Sequence, residues 1–434
     1  MNAEVRAIRT PAEQALNAAY AAARAKLPGK GAIAYLREAA FQRFDAAGLP
    51  HRRIEEWKYT DLRALMREAK PLAEPAKAKG KVPALPGLTA GRIVIVNGRY
   101  EQAWSEFKPV AGVELSDVFA FAADQKNYRL GEIPGRDDIA VSLNTAFMTG
   151  GVALRVAKGV NVEKPIEIAH VFADGTAAAM YPCSVVVVEP GARVTFIESF
   201  NGPAGVDYQV NSALELVIGE GAHVDHVTIG SDGDKALRIS SLGVKVGAKA
   251  IYNGFTYTAG GAVVRNQIFA RFDGEGTQAS IGGVTLLKGR QHVDNTLVIN
   301  HAAGGCTSRE RFRTVLDGES HGIFQGKIVV EPHAQKTDAK MASHALLLSD
   351  EAEADNKPEL EIFADDVQCG HGATAGALDS ALKFYLMSRG IPENEAEALL
   401  IQAFVGEAIE EIVHEGIREA LLNAAAKWLQ AREQ

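Results

Sequence analysis

The phrases EPGARV (from Glu189), GEGAHV (from Gly219), KVGAKA (from Lys245) and GEGTQA (from Gly274) each set a glycine turn just ahead of a strand-like run. Their third residues, Gly191, Gly221, Gly247 and Gly276, are spaced 30, 26 and 29 apart. A period of that size, built of strands and turns, describes a solenoid in which each rung buries its face only by stacking on the next. Between about Gly151 and Gln368 the chain consists of short β-branched runs (VALRV, SVVVVE, ARVTFIES, LELVIG, HVDHVTIG, KIVVEP) punctuated by Gly, Asp and Asn, with almost no helical periodicity. The expected fold is therefore mainly β, with a parallel β-helix core. A β-sandwich, with strands every ~8 to 12 residues and no recurring turn phrase, is the weaker alternative.

Helical patterns flank this core. AEQALNAAYAAARAK and AIAYLREAAFQRFDAAG, separated by PGKG, carry apolar residues at three- and four-residue spacing. KPLAEPAKAKGKVPALPG, residues 70–87, is too rich in Lys, Ala and Pro for regular structure and reads as a linker, and GRIVIVNGRY is the first convincing strand. After Thr374 the helical pattern returns in LDSALKFYLMS. Gly390 stands at a left-handed cap position, and Pro392 can begin the next helix. ENEAEALLIQAFVGEAIEEIVHEGIREALLNAAAKWL then reads as one helical run with an apolar stripe at Leu399, Leu400, Ala403, Phe404, Ile409, Ile412 and Val413. That stripe either docks on the solenoid or meets a partner. The expected domains are an N-terminal helical domain (1–75), a linker with the first strands (76–150), the β-helix core (151–374) and a C-terminal helical domain (375–434).

With 434 residues, a formal net charge of -8, a pI near 5.8 and no long basic run, the chain has no nucleic-acid-binding character. Its opening segment lacks the apolar core of a signal peptide and no window approaches ~20 apolar residues, so a cytoplasmic protein without a membrane role is expected. Three cysteines, Cys183, Cys306 and Cys369, are too few and too scattered for a disulfide framework. Neither GxxxxGK[ST] nor GxSxG occurs, which leaves autonomous ATP hydrolysis and α/β-hydrolase chemistry unsupported.

The chemistry-bearing stretch is DDVQCGHGAT, Asp365 to Thr374. On a strand, Cys369 and His371 point to one face, and a thiolate with an imidazole suits iron, zinc or an iron–sulfur cluster. Two ligands do not close such a site, because four are usual. Taken alone, the pair reads more readily as a packed thiol and a hydrogen-bonded imidazole, unless another chain supplies the remaining ligands. Cys183 reads as core, and Cys306 near His301 is a weak signal. His223 and His226 fall on opposite strand faces. His321 and His333 read as solvated rung residues, and the acidic run SDEAEADNKPELE as a solvated face.

Three longer segments are similar to a known family. FQGKIVVEPHAQKTDA, then LLLSDEAEADNKPELEIFADDVQCGHGATAGALD, then FYLMSRGIP resemble the core of the SufB/SufD family of iron–sulfur cluster assembly proteins, most strongly from about Asp317 to Phe404. RRIEEWKYTDLR, Arg52 to Arg63, resembles the N-terminal signature of the SufD branch. Where the SufB branch carries a cysteine before its LLLSD and a glutamate after the histidine, this chain has Ser343 and Gly372. The resemblance implies a right-handed parallel β-helix between helical domains, and a non-enzymatic scaffold. Such a scaffold pairs with a SufB-like subunit through the β-helices and with a SufC-like ATPase through the C-terminal helices. It further implies that His371, and with it Cys369, hold iron or a nascent iron–sulfur cluster shared with the SufB-like partner, and it leaves room for a reduced flavin in the complex and a homodimer of the lone chain. Rival readings are a structural β-helix homodimer with no cluster role and a β-helix enzyme acting on polysaccharide. The second needs an export signal and clustered carboxylates on one strand face.

Overall fold

The computed structural model describes residues 9–76, 88–124, 130–173 and 175–432. Most of the linker expected at 70–87 lies outside the described residues. A β-solenoid of about eight turns forms the core, with helices at both ends of the chain. Two long sheets face each other. One runs from Gly91–Val96 through Ile166–Val171 and Arg193–Asn201 to Asp338–Leu347 and finally Gln368–Gly376. The other runs from Val113–Asp117 and Val152–Val156 to His321–Val330 and finally Glu353–Ile362. Pairing is parallel throughout both stacks except at the start, where Gly91–Val96 takes two antiparallel neighbours and Val113–Asp117 pairs antiparallel with Val152–Val156. Antiparallel strands thus close the N-terminal end.

The turn before six successive strands of the first sheet, Arg193–Asn201 to Asp338–Leu347, explains the glycine phrases. A left-handed residue stands two positions ahead of the strand at Gly191, Gly221, Lys249, Gly276, Gly305 and Lys336, with φ between 55° and 70°. Glycine adopts that conformation without steric cost. The third phrase is therefore displaced from the expected register: its left-handed residue is Lys249 rather than Gly247, because VGAKA carries a lysine where the other phrases have glycine.

Stacking in register builds straight interior columns. Phe196, His226, Gly254, Ile281, Glu310, Met341 and His371 form one, and Val194, Val224, Tyr252, Ala279, Ser308, Ala339 and Cys369 the next. Apolar members of both columns belong to the main core with Val186, Leu216, Val244, Ile268 and Phe324. Each fully buried aliphatic side chain contributes roughly 1.5 to 3 kcal/mol. Residues of alternate parity on the same sheet (Ile197, Val227, Phe255, Val284, Val315 and Leu346) face outward under the C-terminal helices.

The first two helices, Pro11–Ala23 and Ala32–Ala47, flank the PGKG turn; Thr10 caps the first by exchanging hydrogen bonds with Glu13. They pack with a buried helix not foreseen from sequence, Ile139–Phe147, against Leu237 and Ile239 on the outer face of the second sheet. At the other end, the single helical run expected after Pro392 is broken: Glu393–Ile409 and Glu415–Arg432 are separate helices, and His414 Nδ1 accepts the Ile417 amide at the second start (3.3 Å). Gly390 (φ 87°) ends Ser380–Ser388 and Pro392 caps the next helix, as its position suggested.

The docked face of Glu393–Ile409 differs from the expected stripe. Ile401, Val405, Ala408, Ile409 and Ile412 are buried against the solenoid, while Leu399, Ala403 and Val413 are exposed and Leu400 and Phe404 half-buried. ENEAEALLIQAFVGEAI is apolar nearly all round, so two stripes share helical spacing and packing selects one. Arg313 secures the choice by donating to the Phe404 carbonyl (2.6 Å), lying over its ring and pairing with Glu407. No helix among the described residues is long and apolar enough to cross a membrane.

Candidate functional site at the open end of the solenoid

The last strands of both sheets, Glu353–Ile362 and Gln368–Gly376, pair on one side only among the described residues. Cys369 pairs with Ala339 and His371 with Met341, both buried interior positions. The two side chains therefore share the interior face of the final rung, as their spacing required, with Cα atoms about 7 Å apart. Cys369 is half-buried against the main core; His371 is exposed because no rung covers it. A Cβ at Gly370 or Gly372 would meet nothing within 4 Å, so the backbone beside the pair is bare.

Electrostatics keep the thiol protonated. Burial, then the carboxyl groups of Asp338 and Glu310, push Cys369 above its ordinary value. A thiol so held needs a metal or another cation before it becomes a ligand. Asp338 is ionised, because its hydrogen bond from Arg309 (2.6 Å) lowers its titration. Ser343 is buried one rung below, its hydroxyl donating to Asn356 Oδ1 (2.7 Å). No group of three or more His, Cys, Asp or Glu side chains among the described residues is disposed to hold a metal ion. The end of the solenoid presents one thiol and one imidazole on an open side.

The other candidates fall elsewhere. Cys183 is core, and Cys306 is buried with its Sγ donating to the Gly274 carbonyl (3.4 Å). His301 instead lies 3.0 Å from Ser308 Oγ. His223 is half-buried beside Asp225 (3.2 Å) and His226 is buried. His333 Nε2 meets the Ala302 carbonyl at 2.7 Å. His321 is not simply solvated: it binds Asp355 (2.8 Å) and meets the His292 ring edge-on. The acidic run supplies the outer face of Glu353–Ile362, where Asp355, Glu359 and Glu361 are paired with His321, Lys357 and Lys327.

Two interior polar clusters were not found from sequence. Glu198 lies between His170 (3.0 Å) and His226 (3.7 Å). Burial alone would raise it, but those two imidazoles bring it down to about 2. A cavity of about 20 Å³, room for a water, lies beside Glu198, His226 and Tyr252. Glu310 is fully buried with neither carboxyl oxygen hydrogen-bonded, and desolvation pushes it up to about 8. A signal for Glu310 does exist: in TSRERFRTVL it shares the parity of Ser308 and Phe312, while three arginines take the other.

The N-terminal signature reaches the same end of the molecule. Trp57 covers the Arg265 guanidinium (3.9 Å), Thr60 donates to Asp294 (2.6 Å), the Glu56 carbonyl accepts from Arg265 (2.7 Å) and Glu55 binds Lys357 (2.5 Å). Arg265, Asp294, Gln325 and Lys357 stand on four successive strands of the second sheet, so the segment straps them down as far as the last one.

Comparison with known proteins agrees with this architecture. Residues 171–404 match the SufBD core domain of the SUF system for FeS cluster assembly, and residues 11–168 match the SufBD N-terminal region. The chain is 29% identical to the iron–sulfur cluster assembly protein SufD of Escherichia coli, over 86% of this chain and 88% of that one. It is 30% identical to an iron–sulfur cluster assembly SufBD family protein of Synechocystis sp., covering 87% and 86%, and 28% identical to SufD of Bacillus subtilis, covering 72% and 73%. The chain belongs to the SufBD family of iron–sulfur cluster assembly proteins.

Proposed function

We propose that this chain is a SufD-type, non-catalytic scaffold subunit that works in the cytoplasm. In this reading its solenoid end pairs with a SufB-type subunit, its C-terminal helices engage a SufC-type ATPase, and Cys369 and His371 contribute half of the ligand set for iron or a nascent cluster. The observation that carries the reading is the coincidence of an incomplete ligand pair with an unfinished pair of sheets: what lacks ligands also lacks a neighbour. Of the two edges, Glu353–Ile362 is guarded by Pro358 and alternating charges, features that discourage further pairing. Gln368–Gly376 is small and glycine-rich and carries no such guard, so it is the edge a partner strand would extend.

Within the C-terminal helices, the surface best suited to the ATPase contact in this reading is Ser380–Ser388. No residue of that helix is buried, and Leu382, Phe384, Tyr385 and Met387 are all exposed. The test of the half-site is the iron and sulfide content of the purified three-component complex. His371→Ala should leave subunit ratios intact, since one side chain is a small part of an extended contact, and cut cluster content sharply. Cys369→Ser separates a second ligand from a packing thiol. Wild-type cluster content in His371→Ala defeats the ligand assignment, and a chain that forms only copies of itself, with no SufB-type pairing, supports the homodimer reading instead.

A further inference from the structure

Glu310 stands in the same interior column as His371, with Met341 between them. Its side chain is wholly enclosed, and neither oxygen has a hydrogen-bond partner. Such a group is costly unless it is neutral or has a use for its charge. The contacts that favour its charge are weaker than its desolvation: the Ser308 hydroxyl, which also lies against His301, and the Arg309 guanidinium, which points outward to Asp338. The column neighbours Ile281 and Met341 are apolar. Other titratable groups turned toward this part of the lumen are His301 beside Ser308, Cys306 in the main core, Cys369, whose thiol feels the Glu310 carboxyl, and His371 at the mouth.

We infer that Glu310 is the inner counter-charge of the end site: it is a neutral acid while the site is empty and releases its proton when a metal cation is seated at Cys369 and His371. The inference rests on the half-site proposed above. Glu310 is no ligand, because Met341 separates it from His371. Two rung spacings place its Cα roughly 10 Å from that of His371. At an effective dielectric near 20, a divalent cation whose charge is half cancelled by the Cys369 thiolate moves the titration midpoint of the acid down by about one pH unit at that distance. Starting from about 8, Glu310 therefore passes from mostly protonated to about half ionised at neutral pH. The O–H bond of the carboxyl breaks, the electron pair stays on the carboxylate, and the proton goes to buffer. A buried negative charge then appears only when there is a cation for it to hold.

The test uses the assembled three-component complex, titrated anaerobically at pH 7 with ferrous iron alone, with bound iron and released protons measured together. Protons from a metallated thiol are common to wild type and Glu310→Gln, so their difference isolates Glu310. At saturating iron the variant should release about half a proton fewer per iron. Equal proton counts, with uptake still dependent on His371, overturn the inference alone. Uptake unchanged in His371→Ala removes the half-site, and the coupling with it. A readout without metal is the infrared carbonyl band of a protonated carboxylic acid in the full-length chain at pH 7. It should be present in wild type and lost in Glu310→Gln, and its absence from wild type refutes the neutral acid.

Discussion

Replacing Arg265 by Met should unlatch the N-terminal strap while leaving the distal rungs folded. Arg265 and Asp294 are 1% and 0% exposed. The substitution leaves Asp294 as a buried carboxylate whose remaining donors are Thr60, Thr296 and Gln325. Stranding one partner of a buried pair costs about 3 to 5 kcal/mol, and the surviving donors place this case near 3. Loss of the cation under Trp57 adds about 1 kcal/mol. In a solenoid such a cost is felt locally, because rungs open in part rather than all together. Amide hydrogen exchange over residues 55–62 should therefore accelerate by about a hundredfold or more, while Asp338–Leu347 is unchanged. Adding Asp294→Asn should restore part of the protection, since the neutral amide relieves the stranded buried charge and its oxygen still accepts from Thr60. Unchanged exchange in the single variant, or a double variant as open as the single, would refute the assignment of the strap to this ion pair.

Three further outcomes are expected. The folded-state titration of Glu310 is raised, so the unfolded chain ionises from about 4.5 upward while the folded chain resists until about 8. Stability should therefore fall as pH rises through that window, and at pH 7 Glu310→Gln should be more stable by about 3 kcal/mol in denaturant unfolding; a variant with the wild-type pH slope contradicts this. Leu382→Asp with Phe384→Asp should abolish co-purification with the SufC-type partner without changing thermal unfolding, since both side chains are exposed, and retained binding moves that contact elsewhere. Gly230→Val should destabilise the solenoid by several kcal/mol, because a Cβ there would stand 2.4 Å from Arg238 Nη2, a buried guanidinium that also binds Asp232 and covers Phe200; a wild-type melting curve would show that Arg238 has room to move.

What could be read from the sequence was what repeats locally. Turn phrases ahead of β-branched runs gave away the rungs, and the two-residue spacing of Cys369 and His371 gave their common face. Readings that needed a choice between equal local patterns went astray. The third turn phrase was placed two residues early because Lys249 takes a conformation usually left to glycine. The C-terminal stripe is divided, Ile409 and Ile412 docking while Leu399, Ala403 and Val413 stay exposed, because helix Glu393–Ile409 is apolar on more than one side and only the solenoid decides which side docks. Contacts distant in sequence left no mark at all: nothing in EEWKYT announces Arg265 or Asp294, more than two hundred residues on.

The two ends of the solenoid explain why the chemistry gathers where it does. A parallel stack offers the same unpaired backbone at each end and can be finished only by a cap or by another chain. Here the N-terminal end carries its own cap of antiparallel strands. The C-terminal end is strapped by residues 55–60 on one sheet, yet on the other it stops at a bare, glycine-rich strand. Along the interior of the first sheet the two columns are mostly apolar, interrupted by His226 and then, in the last rungs, by Ser308, Glu310, Cys369 and His371. A polar interior is tolerable only where something else completes it, because an unpaired buried group costs more than the apolar residue it replaces. Glu310, buried two rungs beneath Cys369 and His371, is thus a standing cost in the free chain, one that filling the end of the solenoid as proposed above would relieve.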